Sequence, residues 1–303
     1  MSADISKLSA IHVRANFTSK TYKGEFSMQN QIVNSYLHAT GIISHNMTND
    51  YMFRYILQKN EKVLKGLISA LLHLDPKSIQ KITIQNPINL AEDIAAKDFI
   101  MDIKVLMNDH TLINLEMQVN NEHNWAERSL SYLCRTFDHL YQRQDYEEAL
   151  PVHHIGFLDF SLFPDYPEFY ATYQLLNIKN HHLYSSKFSL SVIDLNQTKL
   201  ATDEDKAYGI DYWARLFKAK TWEELKMLAK DNEYLDAAAN SLFEANADWM
   251  VRERCIARKL AERRERTLER DIKLLQEKNA TLEECNSTLE KRIKELELML
   301  DQK

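Results

Sequence analysis

Two acidic residues, Asp102 and Glu116, lie in neighbouring segments of the chain that alternate between apolar and polar residues. This alternation, over about 98–107 and 111–119, has the period of a half-buried β-strand. Residues 108–110 (Asn-Asp-His) separate the segments and predict a turn. A three-residue turn would pair position 102 with position 116 in an antiparallel hairpin, with their side chains about 5 Å apart on one face.

Two carboxylates in this arrangement repel each other, so a cation would stabilise them. Paired carboxylate oxygens suit Mg²⁺, with Mn²⁺ as a second candidate. The alternation alone is also compatible with an ordinary solvated polar face that happens to contain two acids. Both interpretations stay open at this level.

Sequence segments around the hairpin resemble one nuclease family. In chain order they are TNDYMFRYIL, KDFIMDIKV, INLEMQVN and RSLSYLCRTFDHLYQRQDYEEALPVHHIGFLDFSLF. Together they resemble the Rpn-type recombination-promoting nucleases, which are PD-(D/E)XK nuclease family transposases, over roughly residues 45–255. The resemblance implies an α/β, restriction-endonuclease-like core, a mixed sheet flanked by helices, that hydrolyses DNA with Mg²⁺. It also implies a site formed by Asp50, Asp102, Glu116 and Gln118, in which the three carboxylates hold the metal.

The sequence departs from the general PD-(D/E)XK pattern at two positions. Met101 replaces the proline, and Gln118 replaces a lysine that stabilises charge on the phosphate. The glutamine matches the ExQ pattern common in this branch of the family, but a neutral amide can stabilise the charge on the phosphate only by hydrogen bonding. Lys97 or Lys104 is a candidate for the missing positive charge, although either is also compatible with a solvated surface position.

Further candidate residues follow the hairpin. Arg128 and Tyr132 are four residues apart on a predicted helix and share a face, so they are weaker candidates for binding a DNA phosphate. Packing at the edge of the sheet is an alternative role for them. The pair His153-His154 is not expected to bind one ion, because adjacent residues on a strand point to opposite faces.

Periodicity places the hairpin within a larger α/β pattern. Helices are predicted before it and helices and strands after it: a helix from Asn49, a helix over 63–72, a strand at 79–85, a helix over 125–144, and strands at about 152–160, 168–176 and 188–195. After Ala207 the pattern is helical, with breaks near 219–221 and 230–233. We therefore expect a loosely ordered leader (1–44), a nuclease-like core (45–200), a helical extension (201–250) and a long C-terminal helix (251–303).

The C-terminal segment has a heptad repeat. Leucine recurs every seven residues, at 268, 275, 282, 289 and 296, and Asn279 and Asn286 occupy the companion position. Leucine at d with asparagine at a favours a parallel two-stranded coiled coil, so we expect a homodimer through 268–300. Residues 252–270 contain eight Lys or Arg and four Glu, which is typical of a solvated helix, with a DNA-binding arm as the alternative.

Composition excludes several classes of function. The chain has 303 residues, five glycines and no GxxxxGK[ST], GxGxxG, GxSxG, HExxH or paired CxxC motif, which argues against nucleotide-loop, serine hydrolase, zinc protease and zinc-ribbon proteins. With a net charge of −6, any contact with DNA must be local. Three scattered cysteines and the lack of an apolar signal or membrane segment lead us to expect a cytoplasmic protein.

These observations favour a Mg²⁺-dependent DNA endonuclease associated with recombination or transposition. The main alternative is a weakly active or inactive nuclease fold that serves as an interaction protein, assembled through its coiled coil. A third class, a DNA-binding regulator, would require residues 252–270 to bind duplex DNA without the core.

Overall fold

The computed structural model describes residues 35–87, 103–138 and 145–301. Within them the chain forms a mixed sheet flanked by helices, as predicted. The strands are β1 (Ile82–Ile84), β2 (Ile103–Met107), β3 (Thr111–Gln118), β4 (Val152–Leu158), β5 (Tyr170–Tyr173) and β6 (Phe188–Asp194). The α-helices are α1 (Asp50–Lys59), α2 (Glu61–Leu71), α3 (Trp125–Phe137), α4 (Asp203–Ala207), α5 (Ile210–Lys218), α6 (Trp222–Ala229), α7 (Glu233–Ala247) and α8 (Trp249–Asp301).

The described strands form one sheet in the order β1-β2-β3-β4-β6-β5. The first three make an antiparallel meander, β3, β4 and β6 are parallel, and β5 is antiparallel to β6. Between β2 and β3 the register pairs Ile103 with Leu115 and Lys104 with Asn114, which confirms the predicted hairpin register over these residues. Asp102, which we expected opposite Glu116, lies outside the described residues.

The main hydrophobic core lies on one face of this sheet. Ile103 of β2, Leu115 of β3 and Phe157 of β4 are buried there. Phe53 of α1 and Phe217 of α5 pack against Phe157, with ring centroids 5.4 Å and 5.3 Å from it. Helices α5 to α7 share this core with α1 and α2, so the predicted helical extension packs directly on the nuclease-like part.

Helix α3 covers the opposite face of the sheet. Its Trp125 and Leu133 pack on apolar residues of β4 and β6. Gly156 of β4 permits this close approach, because a Cβ atom at that position would lie 2.1 Å from Cζ2 of Trp125. The helix ends at Phe137, earlier than the predicted Gln144, since Asp138 has already left helical geometry. Amphipathic periodicity marks the face of a helix better than its ends.

The C-terminal helix α8 is continuous from Trp249 to Asp301. Its first turns pack on the core through the buried side chains of Val251 and Cys255. From residue 263 onward, its described side chains are exposed, including all five heptad leucines. No helix in the described part of the chain is both long and apolar enough to cross a membrane.

Candidate active site

The polar face of β3 is buried. Asn114, Glu116 and Gln118 are 0%, 3% and 8% exposed, beneath α3 and between β2 and β4. Acidic side chains are almost never fully buried unless they are paired. The interpretation of this face as an ordinary solvated surface is therefore wrong for Glu116.

Glu116 is neutralised by an arginine from α3. Its Oε1 atom lies 2.7 Å from Nη2 of Arg128. The same guanidinium lies 3.4 Å from Glu122 and over the ring of Tyr132, 5.6 Å from the centroid. Arg128 and Tyr132 share a helix face as predicted, but the contact of Arg128 with the predicted metal ligand was not foreseen.

A neutral histidine lies on the other side of Glu116. Asn114 Nδ2 donates a hydrogen bond of 2.9 Å to His154 Nδ1, so the proton of the neutral ring is on Nε2. Nε2 lies 3.6 Å from Glu116 Oε2, which is longer than a hydrogen bond. Burial, with smaller effects of Arg128 and Lys104, lowers the pKa of His154 to about 4. At neutral pH the uncharged ring of His154 therefore does not form an ion pair with Glu116. The dipole of the ring is attracted to the carboxylate.

Asp50 begins α1, directly after the Asn49 side chain that caps the helix by accepting from the Met52 N–H. Its carboxylate is 5% exposed, and Oδ2 lies 2.5 Å from Nε of Arg258 on α8. Burial raises the pKa of Asp50 above its usual value, although the guanidinium of Arg258 opposes this shift. The C-terminal helix therefore supplies the counter-charge of this predicted catalytic acid.

Gln118 ends β3 on the same strand face as Glu116. Its Nε2 donates a hydrogen bond of 3.0 Å to the carbonyl of Asn120, which fixes the amide and leaves its oxygen as an acceptor. Lys104 is half-buried on β2 beside Asn114, on this same face. The other candidate lysine, Lys97, lies outside the described residues.

The donors of the predicted site suit a hard divalent cation in their chemistry. Asp50 and Glu116 contribute carboxylate oxygens and Gln118 an amide oxygen, which are ligand types that Mg²⁺ accepts. No three His, Cys, Asp or Glu side chains within 35–87, 103–138 and 145–301 are close enough together to hold a metal ion. Asp102, the remaining predicted ligand, is not among those residues, so the complete set stays a prediction.

Two further contacts at the site were missed from the sequence. The basic segment 252–270 was interpreted as a solvated helix, yet Arg254 is buried and Arg258 reaches Asp50. That interpretation is wrong for these two residues. His153 and His154 do face opposite sides of β4, but the position of His154 beside Glu116 depends on the β3–β4 register, which no local pattern indicates.

A comparison with known protein families agrees with the α/β fold described above. A family model described as "PD-(D/E)XK nuclease family transposase" matches residues 47–274, which include the whole described sheet and the start of α8. Neither the curated proteins nor the solved structures yield a significant match.

Proposed function

Because the chain belongs to the PD-(D/E)XK nuclease family transposases, we propose that it is a metal-dependent DNA endonuclease acting in recombination or transposition. Membership itself indicates a nuclease-like, transposition-associated function. The observation that supports catalysis is the burial of Glu116 beside Gln118 on one strand face. Buried ionisable groups with specific charge partners are concentrated at functional sites.

In the proposed reaction, Asp102 and Glu116 hold Mg²⁺ or Mn²⁺, and Asp50 assists them. The ion, when bound, supplies Lewis-acid activation of the phosphate and of water. The amide oxygen of Gln118 would accept a hydrogen bond from the attacking water and orient it. Arg128 is adjacent to Glu116 and would offset the negative charge that accumulates around the phosphate.

We also propose that the enzyme is a parallel homodimer through residues 268–300. In the single chain, the seam leucines of α8 are 46–62% exposed. A row of exposed leucines at heptad spacing becomes buried when two such helices pair. Asn279 and Asn286 at the companion positions favour the parallel, two-stranded form.

The second candidate function is an interaction protein with an inactive nuclease fold. Two observations favour it: Asp50 and Glu116 are both paired with arginine, and Gln118 replaces the general lysine. Under this alternative the two arginines neutralise the buried carboxylates, and no metal is bound.

Nicking of supercoiled plasmid by the purified full-length protein tests the two candidates. With Mg²⁺, we expect nicking by the wild type and a loss on the order of 100-fold or more for Asp102→Asn. Asp109→Asn, which removes an exposed acid from the same hairpin, serves as the matched control and should retain activity. Equal nicking by wild type and Asp102→Asn would support the interaction protein.

Two further readouts refine this test. Asp102→Asn should leave thermal stability equal or higher, because it removes the repulsion that we expect between Asp102 and Glu116 in the metal-free protein. Gln118→Lys should raise the nicking rate if a missing positive charge limits the reaction.

A further inference from the structure

A cleft of about 350 Å³ lies at the start of α1 and the end of β3. Four parts of the chain line it: residues between 42 and 49 before α1, Val119 after β3, Lys220 between α5 and α6, and Lys259 and Glu262 on α8. In the sequence, residue 49 directly precedes Asp50 and Val119 directly follows Gln118. The cleft therefore borders the two elements that carry these predicted site residues.

The cleft is locally basic in a protein of net charge −6. Lys220 and Lys259 are exposed, and neither ammonium group forms an ion pair with another residue of the described part. His45 also lines the cleft, and its buried Nδ1 has no hydrogen-bond partner among the described residues. Burial lowers the pKa of His45, and the positive charges of Lys259 and Arg252 lower it further.

Two contacts hold the part of α8 that carries Lys259 against the start of α1. Asn49 Nδ2 donates a hydrogen bond of 3.4 Å to the carbonyl of Cys255, and Arg258 binds Asp50. The one acid of α8 that lines the cleft, Glu262, lies 3.7 Å from Arg258 and is partly neutralised by it. This docked part of the helix thus presents Lys259, an exposed lysine that forms no ion pair within the described part of the chain.

We propose that this cleft binds one phosphate group of the DNA backbone between Lys259 and Lys220. The inference rests on the proposed nuclease function and deepens it. Lys259 would supply, from the C-terminal helix, the positive charge that Gln118 cannot supply from β3. An ammonium group is well suited to this role, because it donates charge-assisted hydrogen bonds to phosphate oxygens.

Binding of a short fluorescein-labelled DNA duplex to the full-length protein in EDTA, followed by fluorescence anisotropy, tests the cleft. Lys259→Ala should raise Kd about tenfold, the equivalent of one charged hydrogen bond. It should also reduce the slope of log K against log salt by about 0.9, as expected for one lost phosphate contact. Lys259→Arg should keep most of the affinity, because the charge is retained.

Lys273→Ala is the matched control, since Lys273 is an exposed lysine on the same helix, fourteen residues further along. The proposal is overturned if Lys259→Ala binds as tightly as the wild type, if Lys273→Ala weakens binding equally, or if the wild type binds no duplex at low salt. Binding in EDTA requires no cleavage. A protein that binds through Lys259 but shows no metal-dependent nicking would therefore refute the proposed enzyme and leave the phosphate cleft standing.

Discussion

Replacement of Arg258 by methionine is expected to destabilise the protein far more than the same replacement of a cation in an exposed ion pair. Arg258 Nε lies 2.5 Å from Asp50 Oδ2, and the two side chains are 19% and 6% exposed. Methionine keeps an apolar stem but leaves the buried carboxylate without its counter-charge. Breaking a buried pair in this way costs about 3–5 kcal/mol of folding free energy.

The ion pair between Lys62 on α2 and Glu233 on α7 provides the control. Its nitrogen and oxygen are 2.7 Å apart, and the two side chains are 48% and 67% exposed. Solvent screens such a pair, so Lys62→Met should cost only a small fraction of the loss caused by Arg258→Met. Because the two distances are similar, the difference between the variants reports mainly the effect of burial.

Urea denaturation followed by far-ultraviolet circular dichroism measures both changes. Protein concentration must be fixed, because the stability of a dimer depends on it. The double variant Asp50→Asn with Arg258→Met should recover much of the loss, since neither charge remains. If Arg258→Met costs no more than Lys62→Met, the buried pair contributes no more than a surface pair, and the reasoning on how α8 holds Asp50 is refuted.

Two other predictions concern packing and assembly. Gly156→Ala should destabilise the fold by about 1–3 kcal/mol, because its Cβ would lie 2.1 Å from Trp125 Cζ2; an unchanged melting temperature would contradict the close approach of α3. Full-length protein should be a dimer and a chain truncated after about residue 265 a folded monomer, as measured by light scattering at micromolar concentration. Monomeric full-length protein would refute the coiled coil, whereas a trimer would contradict only the argument from Asn279 and Asn286.

The hairpin of the site could be predicted from the sequence because its determinants are local. Alternating polarity gave the two faces of β2 and β3, and the turn at 108–110 gave the register. Asn108 and Asp109 have φ values of 50° and 60°, which these two residue types tolerate well. Glu116 and Gln118 could therefore be assigned to one face of the strand from the residues of the hairpin and its turn alone.

The charge partners of the site could not be predicted in the same way. Arg258 is 208 positions from Asp50, and its segment has the composition of a solvated helix. The contact depends on how α8 docks on α1, which is decided by tertiary packing. His154 likewise reaches Glu116 only through the parallel β3–β4 register, which is set across the intervening α3.

Because α8 is one continuous helix, its heptad segment has a fixed rotation about the helix axis relative to the part that packs on the core. Two heptads before Leu268 lies the buried Arg254, and two heptads before Ile272 lies Arg258. The side of the helix that docks on its own core therefore continues into the seam that would face a second chain in the proposed dimer. One residue inserted before Leu268 would turn that seam by about 100°, whereas seven would shift it by about 10 Å with little rotation. The number of residues in this stretch thus sets the angle at which two cores of the proposed dimer face each other.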